Sequence, residues 1–191
     1  MTDNNRYEMK IKIDHNLLRL LPNKAKDKLS SEFSSEVSEL LRKLFRKVGG
    51  TISVMSIGDY EIDVIWKNEN PGVQPFQGLF ELLNKGDYKE AILLLEAFKS
   101  AEPNNPDILY NLGMAYSDLS ELNSAKKNLR RLLELKPDNV NGRVALGVAL
   151  MRDKQNEAAI KELQRAVEED PENPWAHRNL GACLLQESQF E

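Results

Sequence analysis

Pro103, Pro137 and Pro171 lie 34 residues apart, each in a short polar stretch that follows an apolar helical run. A fixed period of this length constrains the chain more than any single residue, because each unit must bury its apolar face against the next copy of itself. Aligned on the prolines, Ala91, Ala125 and Ala159 form one column, and Leu95, Leu129 and Leu163 form another four residues later. Leu112-Gly113, Leu146-Gly147 and Leu180-Gly181 form a third. Glycine inside a helix costs about 1 kcal/mol of propensity, so these glycines are expected to let two helix backbones approach, with close packing as the compensation. Each proline follows a helix that it cannot continue. Asn105-Pro106 and Asn173-Pro174 then place a capping side chain and a proline where the next helix opens.

These columns resemble the tetratricopeptide repeat family, in which each 34-residue unit is a pair of antiparallel helices. The resemblance covers residues 72–191, with repeats at 72–105, 106–139 and 140–173 and a truncated fourth at 174–191. It implies a mainly α fold, a right-handed superhelical solenoid. Departures are visible. Where the family usually carries an aromatic three residues before Leu-Gly, this chain has Leu109, Arg143 and His177, and the first repeat reads Gly78-Leu79 instead of Leu-Gly. An apolar strip of Leu180, Cys183 and Leu184 is expected to be exposed if the array is unfinished.

Residues 1–70 carry a different pattern and are read as a separate small α/β domain in the order strand, helix, strand, strand. Tyr7, Met9, Ile11 and Ile13 alternate with charged residues, as in a half-buried strand. Asp14 is placed to cap a short helix that Pro22 ends. From about Asn23 to Val48 the apolar residues recur by threes and fours, and Gly49-Gly50 stops that helix. Strands at Thr51–Ile57 and Tyr60–Trp66 follow, joined through Gly58-Asp59. The turn chemistry of Asn68-Glu69-Asn70-Pro71-Gly72 sets the boundary at 70/71.

Composition narrows the function. No apolar run approaches the roughly 20 residues that span a bilayer, and the amino-terminal stretch lacks a signal-peptide pattern, so a cytoplasmic location with no membrane partner is expected. One cysteine, Cys183, excludes an internal disulfide and a cysteine zinc cluster. His15 and His177 stand in no metal-ligand spacing, and no Gly-rich phosphate cradle or matched nucleophile and base is present. No cofactor, no metal and no catalytic residue are therefore expected. Net charge is −4, and the basic cluster Arg42, Lys43, Arg46 and Lys47 sits where cations offset a helix dipole, which argues against nucleic acid as partner. Ser30, Ser31, Ser34, Ser35 and Ser38 read as the polar side of the same helix.

The resemblance implies that the first helix of each pair lines a concave groove that binds a peptide or helix of another protein. By position the groove would consist of Phe76 and Phe80, then Tyr110, Asn111 and Met114, then Val144, Val148 and Met151, then Arg178, Asn179 and Ala182. The family's carboxylate clamp for acidic chaperone tails needs lysines and an arginine among asparagines. Phe76, Phe80, Val144 and Val148 occupy the matching slots, so an apolar peptide segment or an amphipathic helix is the expected ligand. Self-assembly through the fourth repeat and the hairpin edge at Tyr60–Trp66 is the alternative role, with an enzymatic amino-terminal domain a distant third.

Overall fold

The computed structural model describes residues 6–23, 26–27, 32–68 and 77–187. The chain forms two compact units, Met1–Pro103 and Asn104–Glu191.

In the first unit, β1 (Arg6–Lys12), β2 (Gly50–Ile57) and β3 (Glu61–Asn68) form an antiparallel sheet in the order β1-β3-β2. Met9 faces Val64, Ile11 faces Ile62 and Ile52 faces Trp66 across the ladders, and all six are buried. The opposite face is charged, with Lys10 bonded to Glu61 at 3.0 Å. The alternation read from the sequence is thus the alternation of a sheet with one apolar face. Because β3 is hydrogen-bonded on both sides, the Tyr60–Trp66 segment is the centre of the sheet and not the sticky edge expected for it. β2 is an outer strand, with a bulge between Val54 and Ser56 that leaves Met55 exposed.

Asp14 Oδ1 accepts from the amides of Asn16 and Leu17 and caps α1 (His15–Leu18), which ends before Pro22. α2 (Phe33–Lys47) begins ten residues later than the sequence expectation. From Phe33 the stripe of Phe33, Val37, Leu41, Leu44 and Phe45 is buried. Leu29, Ser30 and Ser31 lie outside the described residues. Gly49 takes the left-handed conformation, φ 89°, and ends the helix.

α3 (Gln77–Lys85) and α4 (Tyr88–Ala101) complete this unit. The 70/71 boundary does not separate them from the sheet. α4 packs along β1, the Ser100 hydroxyl accepts from the Lys10 amide at 2.7 Å, and Phe98 stands edge-on to Trp66 with centroids 5.1 Å apart. Five consecutive residues, Ala91 to Leu95, are buried, as in a helix enclosed on most sides. Gly78 abuts the end of α2: a Cβ there would lie 2.2 Å from the Lys47 carbonyl oxygen.

The second unit is α5 (Pro106–Asp118), α6 (Leu122–Leu135), α7 (Val140–Arg152), α8 (Asn156–Glu169) and α9 (Pro174–Glu187). Its period is written in local hydrogen bonds. Asn105, Asn139 and Asn173 each cap the helix that follows through the side-chain oxygen. The turn inside each pair is a repeated C-terminal lock. Gly86, Ser120 and Lys154, again 34 apart, all adopt positive φ, and the next amide in each case reaches back to Leu82, Tyr116 or Leu150 at 2.9 Å. The period therefore begins in α3 and α4, within the unit that holds the sheet.

The glycine columns have a different role from the one expected. A Cβ at Gly113 would lie 2.4 Å from Leu129 Cγ, and one at Gly147 would lie 2.6 Å from Leu163 Cγ. The helix backbones are spaced by a leucine side chain that seats in each glycine notch. A Cβ at Gly181 would meet no described atom within 4 Å beyond its own helix backbone. Gly147→Ala is expected to lose about 1 kcal/mol net, overpacking of about 1–3 kcal/mol outweighing a propensity gain of about 1 kcal/mol. Gly181→Ala, at low protein concentration, should gain about 1 kcal/mol. Urea unfolding of both variants checks the pair; equal gains would refute the notch account.

Candidate functional site

α7 packs beside both α5 and α9, so the first helices of successive pairs form one surface. The residues that line it follow from the same 34-residue register that builds the fold. On α5, Met114 is 39% exposed and Tyr110 is half-buried, with burial pushing its phenol pKa up. On α7, Val148 and Met151 are half-buried. On α9, Arg178 and Ala182 are exposed.

Asn111 donates from Nδ2 to the Asp107 carbonyl at 2.8 Å, and Asn179 makes the same bond to Trp175 at 2.8 Å. Each amide is held by its own helix one turn back. A carboxamide has a second N–H and a carbonyl oxygen, and these are the groups that can meet a ligand backbone.

Val144 is buried at the α7 position that matches Tyr110 and Arg178, and it belongs to the packing instead of the surface. A valine is too short to reach past its neighbours there. Phe80 is exposed on α3, in the first unit, and Phe76 lies outside the described residues. Two residues that the sequence reading passed over, Trp175 at 59% exposure and Leu185 at 67%, are the most exposed apolar side chains of α9. Arg178 lies over the Trp175 ring, 5.7 Å from its centroid, a cation–π contact that orients both. The register signals Leu185, which follows Met151 by 34 residues, but not Trp175, which follows Asn141.

Arg152 joins the ends of α7 and α5. Its guanidinium donates to Ser117 Oγ at 3.2 Å and Ser120 Oγ at 3.3 Å and lies 3.8 Å from Asp118. An ion pair between the buried Lys126 and the partly exposed Asp153 ties α6 to the end of α7. Together these polar contacts hold the surface at a set spacing.

A family model described as tetratricopeptide repeat matches residues 110–174 and, overlapping, 155–191. Residues 110–191 are tetratricopeptide repeats. Among solved structures, MamA 41-end from Desulfovibrio magneticus RS-1 is similar to this chain with a TM-score of 0.57 and 27% identity, over 60% of this chain and 65% of that one. The first TPR of Spaghetti (RPAP3), bound to the HSP90 peptide SRMEEVD, gives a TM-score of 0.55 at 24% identity over 58% of this chain and 87% of that one. The second TPR domain of human RPAP3, in complex with an HSP70 peptide, gives 0.53 at 19% identity over 55% and 88%.

The described residues of this tetratricopeptide array and of the unit before it hold no group of three metal-ligating side chains, and no helix among them is long and apolar enough to cross a membrane. Cys183 is buried in the array with its thiol toward the Asn156 carbonyl, and burial followed by the charge of Glu187 pushes its pKa up. Such a thiol is a poor nucleophile. The strip expected at Leu180, Cys183 and Leu184 is therefore exposed at Leu184, half-buried at Leu180 and closed at Cys183, because the cysteine faces α8.

Proposed function

We propose that the chain is an intracellular adaptor whose repeats capture an apolar peptide segment or an amphipathic helix of a partner protein across α5, α7 and α9. The observation that carries this reading is the run of Met114, Val148, Met151, Trp175 and Leu185, apolar and at least partly exposed on successive first helices. Methionine and tryptophan present adaptable and large apolar area, while Asn111 and Asn179 offer hydrogen bonds that fix a ligand backbone. Peptide-bound neighbours of the same fold support the general role. The chemistry of the surface favours a different ligand from theirs. Of the candidate groove residues on the array, Arg178 is the one cation, and Val148 stands in a slot that a clamp for an acidic tail would use.

The test is binding by the full chain to a set of amphipathic helical peptides, with SRMEEVD as the acidic-tail comparison. Helical peptides should bind, and the double variant Met114→Glu/Leu185→Glu should lose at least about tenfold in affinity, since each exposed anchor contributes about 1–2 kcal/mol. Thermal melting should be unchanged because both side chains are exposed. Preferential binding of SRMEEVD, or unchanged helix binding by the variant, refutes the proposal.

A further inference from the structure

A cavity of about 320 Å³ lies between α6, α7 and α8, and none of the residues proposed for peptide capture lines it. Its size is at the lower end of ligand sites, enough for one molecule of amino-acid size. Leu133, Pro137 and Leu146 give it an apolar wall, and Arg130, Arg143 and Arg165 bring three guanidinium groups to it. Arg143 is buried. Of the five N–H groups of a guanidinium, Arg143 commits three, to Glu169, Glu162 and the Pro137 carbonyl, which leaves two for the cavity it lines. The carboxylates at the cavity are already engaged, Glu134 with Arg131 and Glu162 with Arg143, and Arg165 is bonded to Glu169. Arg130 is exposed and makes no ion pair or hydrogen bond among the described residues. Its positive charge is the one left over.

We propose that this cavity binds a small monocarboxylate with a compact apolar body, its carboxylate held by Arg130 and Arg143 and its body against Leu133, Pro137 and Leu146. A carboxylate is the acceptor that matches a planar guanidinium, since its two oxygens take parallel N–H bonds. One negative charge answers the one unpaired cation. A phosphate dianion would bring a second charge to a cavity that Glu134 and Glu162 also line, so the site favours the weaker charge. The apolar wall offers nothing to a bare anion, and a ligand gains from it only by carrying an apolar body. The cavity is small and open to water, so a dissociation constant of about 1 mM is expected for a ligand of this size.

The test is an amide proton–nitrogen NMR titration of the full chain with N-acetyl-L-phenylalanine, beside N-acetyl-L-phenylalaninamide as the uncharged counterpart and acetate as the bare carboxylate. The acid should move the amides of Leu133, Leu146 and Glu162 along a saturating curve, and the amide should bind at least about tenfold more weakly. Arg130→Gln, at an exposed position, should leave thermal melting unchanged and weaken binding of the acid by about tenfold or more. Met114→Glu/Leu185→Glu should bind the acid as the parent does, because neither residue lines the cavity. Equal binding of acid and amide overturns the proposal, as does unchanged binding in Arg130→Gln. Acetate moving the same amides at the same concentrations as the acid would also overturn it, marking an anion site with no place for an apolar body.

Discussion

Phe98→Ala is expected to destabilise the first unit by about 3–5 kcal/mol, the cost of emptying a fully enclosed aromatic site. Phe98 is 1% exposed and meets three rings: Trp66 at 5.1 Å, Phe45 at 6.1 Å and Tyr7 at 6.2 Å between centroids. These rings come from α4, β3, α2 and β1, so a single truncation opens the contact of every layer. The Trp66 indole N–H is buried without a hydrogen-bond partner among the described residues, and a cavity beside it would admit water that it can bond. The measurement is urea unfolding of the full chain with tryptophan emission followed in the native state. A fall in the midpoint together with a red-shifted native emission is the expected result. If the sheet unfolds at the parent midpoint, α4 belongs energetically to the repeats and the compact unit ending at Pro103 is misdrawn.

The second large effect is expected at Arg143. Its side chain is 5% exposed and donates from Nε to Glu169 at 2.9 Å and from Nη1 to Glu162 at 3.1 Å, while Nη2 donates to the Pro137 carbonyl. One guanidinium thus joins α7 to the middle and the C-terminal end of α8 and to the turn before α7. Arg143→Ala removes the cation and leaves the two carboxylates without it, at a cost of about 3 kcal/mol. Acid unfolding separates this from simple loss of packing. Burial works against the ionised Glu169, but hydrogen bonds and charge from Arg143 and Arg165 outweigh it and hold its pKa below the usual carboxylate range. A depressed folded-state pKa contributes stability that is present above the unfolded value and lost as pH falls through the folded one. The parent should therefore lose stability between the usual glutamate pKa and the lower folded value, and Arg143→Ala should lose less over the same interval. Parallel pH profiles would show that the ion pairs add nothing to the fold.

The repeat was legible because its signals are local. Asn105 and Asn173 cap, prolines punctuate and Leu129 and Leu163 recur, each readable without knowing what lies across the fold. The strand alternation of β1 and the turn at Gly58 were legible for the same reason. Non-local facts were not. Pro71-Gly72 looks like a domain linker, yet α4 beyond it packs on the sheet, as Phe98 against Trp66 and Ser100 bonded to the Lys10 amide reveal. The recurrence at Gly86, Ser120 and Lys154 was missed because three unrelated residue types share one backbone conformation, which serine and lysine do not advertise. At the candidate site, rotation about each helix axis decides which side chains are open, and the register alone does not give it. Val144 points into the packing, while Trp175 and Leu185 lie open.

The bulge at Met55 bears on how this protein behaves at high concentration. An outer strand offers a row of outward amides and carbonyls on which another strand can grow, and long even rows of that kind seed aggregates. β2 has eight residues, but the extra residue between Val54 and Ser56 breaks its rhythm, so an incoming strand in register with one half falls out of register with the other. On the far side of the sheet, the Ser100 hydroxyl already occupies an amide of β1. Both margins of the sheet are thereby blunted, and strand-to-strand growth into fibres has no long uninterrupted template among these residues.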